Sequence, residues 1–139
     1  MKLNAVTLTP LKCINTPGGD ILHALKATDD TFKEFGEAYF SKIKPGAIKA
    51  WKLHKEVCLN LIVPIGEVMF VLFEPKKPNE FRVEKIGVSN YQRLTIPSNI
   101  WFGFKGLSFQ QSLILSISEK PHKPDEIERM DIKQIKFDW

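Results

Sequence analysis

The sequence predicts an all-β protein built as a β-sandwich or jelly roll, and three observations support this. Short apolar or alternating runs recur along the chain, and glycine or proline turns separate them. Almost no segment has the periodicity of a helix. The hydrophobic fraction of 43% is enough to fill a core without disulfide bonds. We therefore expect a single domain over residues 1–139.

The N-terminal part is predicted to hold short strands joined by polar turns. Residues 6–11 are rich in strand formers, and Pro10 places them at a sheet edge because proline has no amide hydrogen to donate. Residues 21–26 are predicted to form another short strand. The polar segment 28–35 is expected to be a loop or a single helical turn capped by an aspartate.

The rest of the chain is predicted to supply the core strands. Residues 57–63 and 68–73 are nearly all apolar, as buried strands are, whereas residues 81–86 alternate. Residues 124–129 are predicted to form a short helix that begins at a proline, and Trp139 is expected to pack back on the body. The predicted strands after residue 35 are 37–43, 48–54, 57–63, 68–73, 81–86, 91–96, 100–104 and 112–118.

The charge pattern does not favour a nucleic-acid partner. The net charge is +4 and the pI is about 9.1, which on charge alone is compatible with nucleic-acid binding. The lysines are scattered, however, and pairs such as Lys76 and Lys77 do not extend into blocks of like charge. A solvated surface explains the excess, and an anionic small ligand such as a phosphate ester explains it equally well.

The sequence predicts a cytoplasmic protein without a membrane partner. No basic segment followed by an apolar stretch opens the chain, so no signal peptide is predicted. The longest apolar run, residues 59–73, is too short to span a bilayer and is interrupted by polar residues. Cys13 and Cys58 lack metal-ligand spacing and are predicted to be free thiols.

The stretch from Gly46 to Gly66 has the most specific spacing in the chain. It follows the pattern G-x5-H-x-H-x4-E-x6-G, and residues 97–102 follow the pattern P-x-G-x2-H. Both motifs resemble those of small jelly rolls of the cupin type. The four metal-ligand positions of these motifs are Lys52, His54, Leu59 and Phe102. Only one of them can donate to a metal, so we predict no metal.

Among cupins, the sequence resembles the dTDP-4-dehydrorhamnose 3,5-epimerase family and its shorter relatives in nucleotide-sugar and cell-surface polysaccharide pathways. Those relatives show Y-F-S-x-x-x-P-G-x-x-K-x-W-x-x-H-K. Residues 39–55 read Tyr-Phe-Ser-Lys-Ile-Lys-Pro-Gly-Ala-Ile-Lys-Ala-Trp-Lys-Leu-His-Lys. The other matches are at residues 66–68, 90, 94–97, 103–104, 107–108, 124, 126 and 139. The resemblance covers roughly residues 37–139 and implies a cupin-type double-stranded β-helix that uses no cofactor.

The resemblance also suggests roles for particular positions. In that family a histidine removes a proton next to a ketone, a tyrosine acts as the acid, and basic residues hold the diphosphate. By resemblance Lys52 occupies the position of the base, and Lys49 that of a phosphate-binding arginine. Leu115 falls on the acid tyrosine and Phe102 on a further histidine. The usual acid–base pair of the family is therefore replaced.

Strand alternation groups the candidate catalytic residues. Along residues 48–54 it places Lys52 and His54 on one face and Lys49 and Trp51 on the other, unless a bulge intervenes. We expect Lys52 to be a base with a lowered pKa or an electrophile near an enolate, and His54 to be a base or a donor. The structural alternatives are a lysine paired with a carboxylate and a histidine satisfied by a neighbour. The candidates for substrate binding are Lys49, Asn60, Tyr39, Trp101 and Phe102.

Two main functions remain open from the sequence. The first is an epimerase or isomerase of a 4-keto sugar nucleotide, which removes a proton next to the ketone. The second is a sugar-binding, nucleotide-binding or scaffolding cupin without turnover. A metal-dependent cupin is a third hypothesis, and only a stoichiometric metal found by elemental analysis would support it. For either main function we expect a nucleotide-sugar ligand and a homodimer, with the N-terminal strands of residues 1–35 as a candidate part of its interface.

Overall fold

The computed structural model describes residues 3–139, and most of its regular structure is β-strand. The strands are β1 (Thr7–Pro10), β2 (Cys13–Ile14), β3 (Ile21–Leu22), β4 (Glu37–Ile43), β5 (Ile48–His54), β6 (Leu59–Ile65), β7 (Glu67–Phe73), β8 (Arg82–Gly87), β9 (Gln92–Ile96), β10 (Trp101–Gly106), β11 (Ser112–Ser118) and β12 (Ile127–Arg129). Short 3-10 turns lie at Leu3–Ala5, Pro124–Glu126 and Ile132–Gln134.

Two antiparallel sheets of five strands form the jelly roll that the sequence predicted. The first sheet has the order β1-β9-β6-β11-β4, and the second has the order β12-β5-β10-β7-β8. Apolar side chains from β6, β7 and β9 meet between the sheets, and Val63, Phe70 and Leu94 among them are fully buried. The hairpin of β2 and β3 belongs to neither sheet.

Several predicted strands are confirmed with the same bounds. Glu37–Ile43, Ile48–His54 and Ser112–Ser118 are strands in the structure, and β1 lies at the edge of the first sheet as Pro10 predicted. The strand predicted at residues 21–26 is shorter, because only Ile21–Leu22 pairs with β2. The polar segment that follows is a series of turns.

The helix predicted at residues 124–129 is wrong. Pro124–Glu126 forms a single 3-10 turn, and the next three residues form β12. β12 pairs with β5, with Ile127 opposite His54 and Arg129 opposite Lys52. The edge of β5 offers backbone groups that a short helix would leave unpaired, so sheet pairing prevails over the local helix signal.

A second apolar cluster lies on the outer face of the second sheet. Trp51 packs against Phe73 with ring centroids 5.0 Å apart, and Trp101 belongs to the same cluster. The C-terminal tail covers these rings, and the Trp51 and Trp139 centroids are 5.3 Å apart. The prediction that Trp139 packs back on the body is confirmed.

Candidate active site

A cavity of about 380 Å³ opens between the two sheets. Its floor is apolar and its wall carries hydroxyl and basic groups. The lining residues are Tyr39, Ser41, Lys49, Ala50, Trp51, Lys52, Leu59, Leu61, Phe70, Phe102, Phe104, Ile114, Ser116, Arg129 and Met130. An apolar pocket with a few converging polar groups is the usual form of a small-molecule site.

Lys49 and Lys52 both line this cavity because β5 contains an irregularity. In the pairing of β5 with β10, Phe102 lies opposite Lys52 and Phe104 lies opposite Lys49. Two residues of β5 therefore face the single residue Gly103, as in a β-bulge. Strict alternation placed Lys49 on the face opposite Lys52, and the bulge reverses that prediction.

Lys52 is half-buried in the cavity wall. Burial is the main cause that lowers its pKa, and the positive charge of Arg129 lowers it further. The carboxylates of Glu126 and Glu37 act in the opposite direction without cancelling the effect. A lysine with a lowered pKa is neutral more often than a surface lysine, and only the neutral amine can accept a proton.

His54 lies behind Lys52 and is held by a buried carboxylate. The Nδ1–H of His54 donates to Glu126, with distances of 2.9 and 3.1 Å to the two carboxylate oxygens. Glu126 Oε1 also accepts the backbone N–H groups of Glu56 and Val57 at 3.2 Å. The His54 ring stacks on Phe102, with ring centroids 6.3 Å apart.

This arrangement sets the tautomer of His54. A carboxylate can only accept, so Nδ1 carries the proton and Nε2 of the neutral ring has a free lone pair. Burial lowers the pKa of His54 more than the bond to Glu126 raises it, which favours the neutral ring. Within residues 3–139, Nε2 is buried without a hydrogen-bond partner. His54 can therefore accept a proton at Nε2.

Basic side chains surround the cavity, and no acidic residue is among its lining residues within the described chain. Lys49 is exposed, and its Nζ donates to the carbonyl of Lys42 at 2.9 Å. Arg129 reaches the same cavity from β12. The exposed cations Lys49 and Arg129, with no carboxylate in the lining, attract an anionic ligand, and lysine and arginine are the usual ligands of phosphate groups.

Comparison with known proteins identifies the family. The crystal structure of a dTDP sugar isomerase from Desulfovibrio desulfuricans G20 has a TM-score of 0.89 and 33% sequence identity, over 96% of this chain and 90% of that chain. The chain belongs to the dTDP-4-dehydrorhamnose 3,5-epimerase-like family of dTDP-sugar isomerases. The family resemblance and the cupin-type jelly roll predicted from the sequence are thus confirmed.

Two further proteins resemble this 3,5-epimerase-like chain, one in sequence and one in structure. The spore coat polysaccharide biosynthesis protein SpsL of Bacillus subtilis strain 168 is 28% identical over 130 residues, which are 87% of this chain and 85% of that protein. A 3,4-ketoisomerase from Thermoanaerobacterium thermosaccharolyticum, solved with TDP-4-keto-6-deoxyglucose, has a TM-score of 0.77 at 18% identity, over 94% and 90% of the chains. That likeness shows the fold alone. No protein-family model matches the chain.

The cavity of this 3,5-epimerase-like chain brings together Lys49, Lys52, Tyr39 and Phe102 from the residues that the sequence singled out. His54 lies just behind this cavity. It lines a narrow adjoining space, and Lys52 lines both that space and the cavity. Four of the seven residues that the sequence singled out therefore line this cavity, although strict alternation placed Lys49 on the opposite face.

Two of the predicted substrate-binding residues do not reach the cavity. Trp101 points to the outer face of the second sheet, where it stacks on Phe73 with centroids 6.2 Å apart. Asn60 lies on the outer face of the first sheet, where it accepts from Thr95 Oγ1 at 2.6 Å and donates to the Thr31 carbonyl. These bonds satisfy the buried amide, so Asn60 stabilises the N-terminal segment.

The position expected for the acid tyrosine also differs from the prediction. Leu115 faces away from the cavity, opposite Phe40 and Ile62 on the outer side of the first sheet. Its neighbours Ile114 and Ser116 line the cavity instead. The phenol nearest to this wall belongs to Tyr39, which pairs with Ser116 across β4 and β11.

The residues at the cupin metal positions do not fit a metal ion. Of Lys52, His54, Leu59 and Phe102 only the histidine is an ordinary ligand, and its Nδ1 is bound to Glu126. In the part of the chain that the structure describes, residues 3–139, no three His, Cys, Asp or Glu side chains are grouped to hold a metal.

The same residues include no helix that is both long and apolar enough to cross a bilayer.

Sequence reasoning missed the contributions of Arg129 and Ser116 and the partner of His54. Arg129 was assigned to a helix, so its place beside Lys52 was not foreseen. Glu126 matched the family pattern, and that match was the one signal that pointed to it. Its contact with His54 spans 72 residues of sequence, and spacing alone does not predict such a contact.

Proposed function

We propose that the chain isomerises or epimerises a keto-sugar carried on dTDP, in the biosynthesis of a cell-surface polysaccharide. The name of the 33% identical dTDP sugar isomerase and that of the spore coat relative support the substrate class and the pathway. One observation carries the proposal for this chain. Lys52, whose pKa is lowered by burial, lines an apolar cavity, and the hydrogen-bonded pair of His54 and Glu126 lies behind Lys52.

Lys52 is the proposed base. Its neutral Nζ removes the proton from the carbon next to the ketone, and the electron pair of that C–H bond moves to the carbonyl oxygen to form an enolate. Return of a proton to the opposite face of the same carbon gives an epimer. A ketone isomer forms when the enolate oxygen takes the hydroxyl proton of that carbon, which becomes the new carbonyl, and a proton returns to the former carbonyl carbon. His54 Nε2 is the alternative base, because it is the second unprotonated nitrogen next to the cavity.

The remaining groups bind the substrate. Lys49 and Arg129 are proposed to hold the diphosphate at the mouth of the cavity, since both are exposed cations on its rim. Protonated Lys52 faces the enolate once the proton has moved, and this pairing stabilises the negative oxygen. Phe102 and Tyr39 flank the space left for the sugar.

Solvent exchange tests the proposal directly. The protein is incubated in deuterium oxide with dTDP-4-keto-6-deoxyglucose, and proton NMR follows deuterium entry next to the ketone. We expect loss of that proton signal at a rate proportional to protein concentration. The Lys52→Met variant, purified in the same way, controls for traces of a contaminating epimerase.

Absence of exchange would have a specific meaning when combined with calorimetry. If the sugar nucleotide binds and no deuterium enters, the chain is a binding module, the alternative that the sequence left open. If neither exchange nor binding is detected at millimolar ligand, the proposed substrate class is wrong.

We also propose that the chain forms a homodimer. The outer face of β4 exposes Phe40, whose exposed fraction is 65%, and Ile65 at the end of β6 in the same sheet is also exposed. Ile21 and Leu22 of the β2–β3 hairpin are further exposed apolar residues, in the segment that is a candidate part of the interface from the sequence. Apolar surface of this kind supports association with a second copy.

Light scattering after size exclusion tests the dimer. Phe40→Glu is expected to yield a monomer, because a charge on a buried apolar interface is unfavourable. Val88→Glu is the matched control, since Val88 is 64% exposed in the turn after β8. A wild-type mass equal to one chain would disprove the dimer.

The cytoplasm is the compartment that we propose. Both cysteines are free, and Cys13 is exposed, as thiols are in reducing compartments. Immunoblotting of fractionated cells with an antibody to the chain checks this, and a purely extracellular signal would refute it.

A further inference from the structure

Three serines of β11 face the space between the sheets, and only one of them lacks a hydrogen-bond partner. Ser112 Oγ donates to the Glu67 carbonyl at 3.3 Å and accepts the Glu67 N–H at 3.2 Å. Ser118 Oγ donates to the Lys120 carbonyl at 2.8 Å. Ser116 is 3% exposed, and no group within residues 3–139 bonds its Oγ.

A hydrogen-bond partner for the Ser116 hydroxyl can come only from a ligand in the cavity, because the neighbouring side chains within residues 3–139 do not supply one. Ser116 lines the cavity, and its cross-strand neighbours are Leu61 on β6 and Tyr39 on β4. Ile114, the next residue on the same face, is apolar and buried. A buried hydroxyl without a partner destabilises the fold, so such groups are rare in proteins. The hydroxyl can reach the cavity by rotation about its Cα–Cβ bond alone.

The chemistry of a suitable partner follows from the group itself. A serine hydroxyl is neutral and offers one donor and two lone pairs, which match a hydroxyl or a ketone oxygen. The charged groups of the cavity belong to the second sheet, where β5 and β12 carry Lys49, Lys52 and Arg129. One wall therefore suits an anion, and the facing wall on β11 suits a neutral oxygen.

We propose that Ser116 hydrogen-bonds a ring hydroxyl or the ketone oxygen of the sugar and so selects which sugar the site accepts. This inference rests on the proposed function, because a sugar diphosphate presents both the anion and the neutral oxygen that the two walls require. Ser116 is then a specificity residue that contacts the sugar and leaves the nucleotide untouched.

Calorimetry with two probes tests the inference. Binding of dTDP-4-keto-6-deoxyglucose and of dTDP is measured for the wild type, Ser116→Ala and Ser116→Thr. The expected result is that Ser116→Ala weakens the sugar nucleotide by about 3- to 10-fold, the usual loss for one hydrogen bond, and leaves dTDP unchanged. Ser116→Thr restores most of the affinity because it keeps the hydroxyl.

Thermal unfolding of the free protein separates this role from a structural one. Ser112→Ala is the matched control, because it removes a bonded hydroxyl from the same face of the same strand. We expect Ser112→Ala to lower Tm, and Ser116→Ala to leave it unchanged or raise it, because the lost hydroxyl had no partner.

Three results would overturn the inference, and they can be told apart. Equal affinities of the wild type and Ser116→Ala for the sugar nucleotide would refute the role of Ser116 while the proposed function stands. A fall in Tm for Ser116→Ala that matches the control would show that the hydroxyl is structural. Failure of the wild type to bind either probe would remove the proposed function and the inference together.

Discussion

The two faces of the second sheet are built from the same strands and differ in how completely they are filled. On the outer face, Trp51 is 1% exposed and packs against Phe73 and Trp139 with centroids 5.0 and 5.3 Å away. On the inner face, Lys52 follows Trp51 in the chain and borders a cavity of about 380 Å³. Adjacent residues of one strand thus serve a packed cluster and an open site.

Polar groups differ between the faces in the same way. Outside, the Trp51 Nε1–H donates to the Ile135 carbonyl at 3.3 Å, so the largest buried side chain is satisfied. Within residues 3–139, the unpartnered buried atoms include His54 Nε2 on the inner face of this sheet, and Ser116 Oγ on the wall of the first sheet that faces it. A filled, satisfied face contributes stability, whereas an open face with unpaired groups is the place to bind and transform a ligand.

Replacing the lysine of the inner face should have the largest effect. Lys52→Met keeps the aliphatic stem and removes the amine. We expect the deuterium exchange rate to fall by about 10²- to 10⁴-fold, the usual contribution of a general base. Denaturant unfolding should change by less than about 1 kcal/mol, because the lost charge was already disfavoured by burial. An exchange rate within twofold of wild type would assign the proton transfer to another residue.

Removing the tryptophan of the outer face should reverse that pattern. Trp51→Ala is expected to lower the free energy of unfolding by about 3–5 kcal/mol, because it leaves a cavity under the C-terminal tail. Urea unfolding followed by circular dichroism measures the loss. Trp101→Leu is a milder comparison within the same cluster. A loss below about 1 kcal/mol would mean that the outer face is less well packed than the ring contacts indicate.

Replacing Glu126, the carboxylate behind His54, should have a smaller effect. It should change both the free energy of unfolding and the tautomer of His54. Glu126→Gln keeps the shape and removes the charge that accepts from His54 Nδ1. We expect a stability loss of about 1.5–3 kcal/mol, the range for a hydrogen bond to a charged group. Nitrogen NMR of the imidazole should show that Nδ1 is no longer the protonated nitrogen in every molecule. Retention of the wild-type tautomer would show that Glu126 does not select it.

The pH dependence of the deuterium exchange rate distinguishes the two candidate bases without any substitution in the protein. A base works in its neutral form, so the exchange rate rises with pH through the pKa of that group. The pKa of Lys52 lies below 10.5 and that of His54 below 6.5. A midpoint between 6.5 and 10.5 therefore assigns the step to Lys52. A midpoint below 6.5 assigns it to His54 when Lys52→Met keeps the profile, and to Lys52 when that variant abolishes the exchange.

The sequence alone determined most of the long strands and the family. Glycine and proline turns separate runs whose alternation is local, so β4, β5 and β11 were predicted with the bounds that the structure has. The motif spacing around Lys52 and His54 is that of a cupin although Leu59 and Phe102 stand at two of the ligand positions, because spacing records the positions of strands and turns. Both features depend on residues close together in the chain.

Only the tertiary structure decided which side chains meet. The bulge opposite Gly103 brings Lys49 to the face of Lys52, and a β-carbon on that glycine would lie 2.6 Å from Ala50 Cβ. The pairing of β12 with β5 brings Arg129 to the cavity and Glu126 to His54. Bulges and strand pairing depend on packing between distant segments, and a period of two residues cannot encode them.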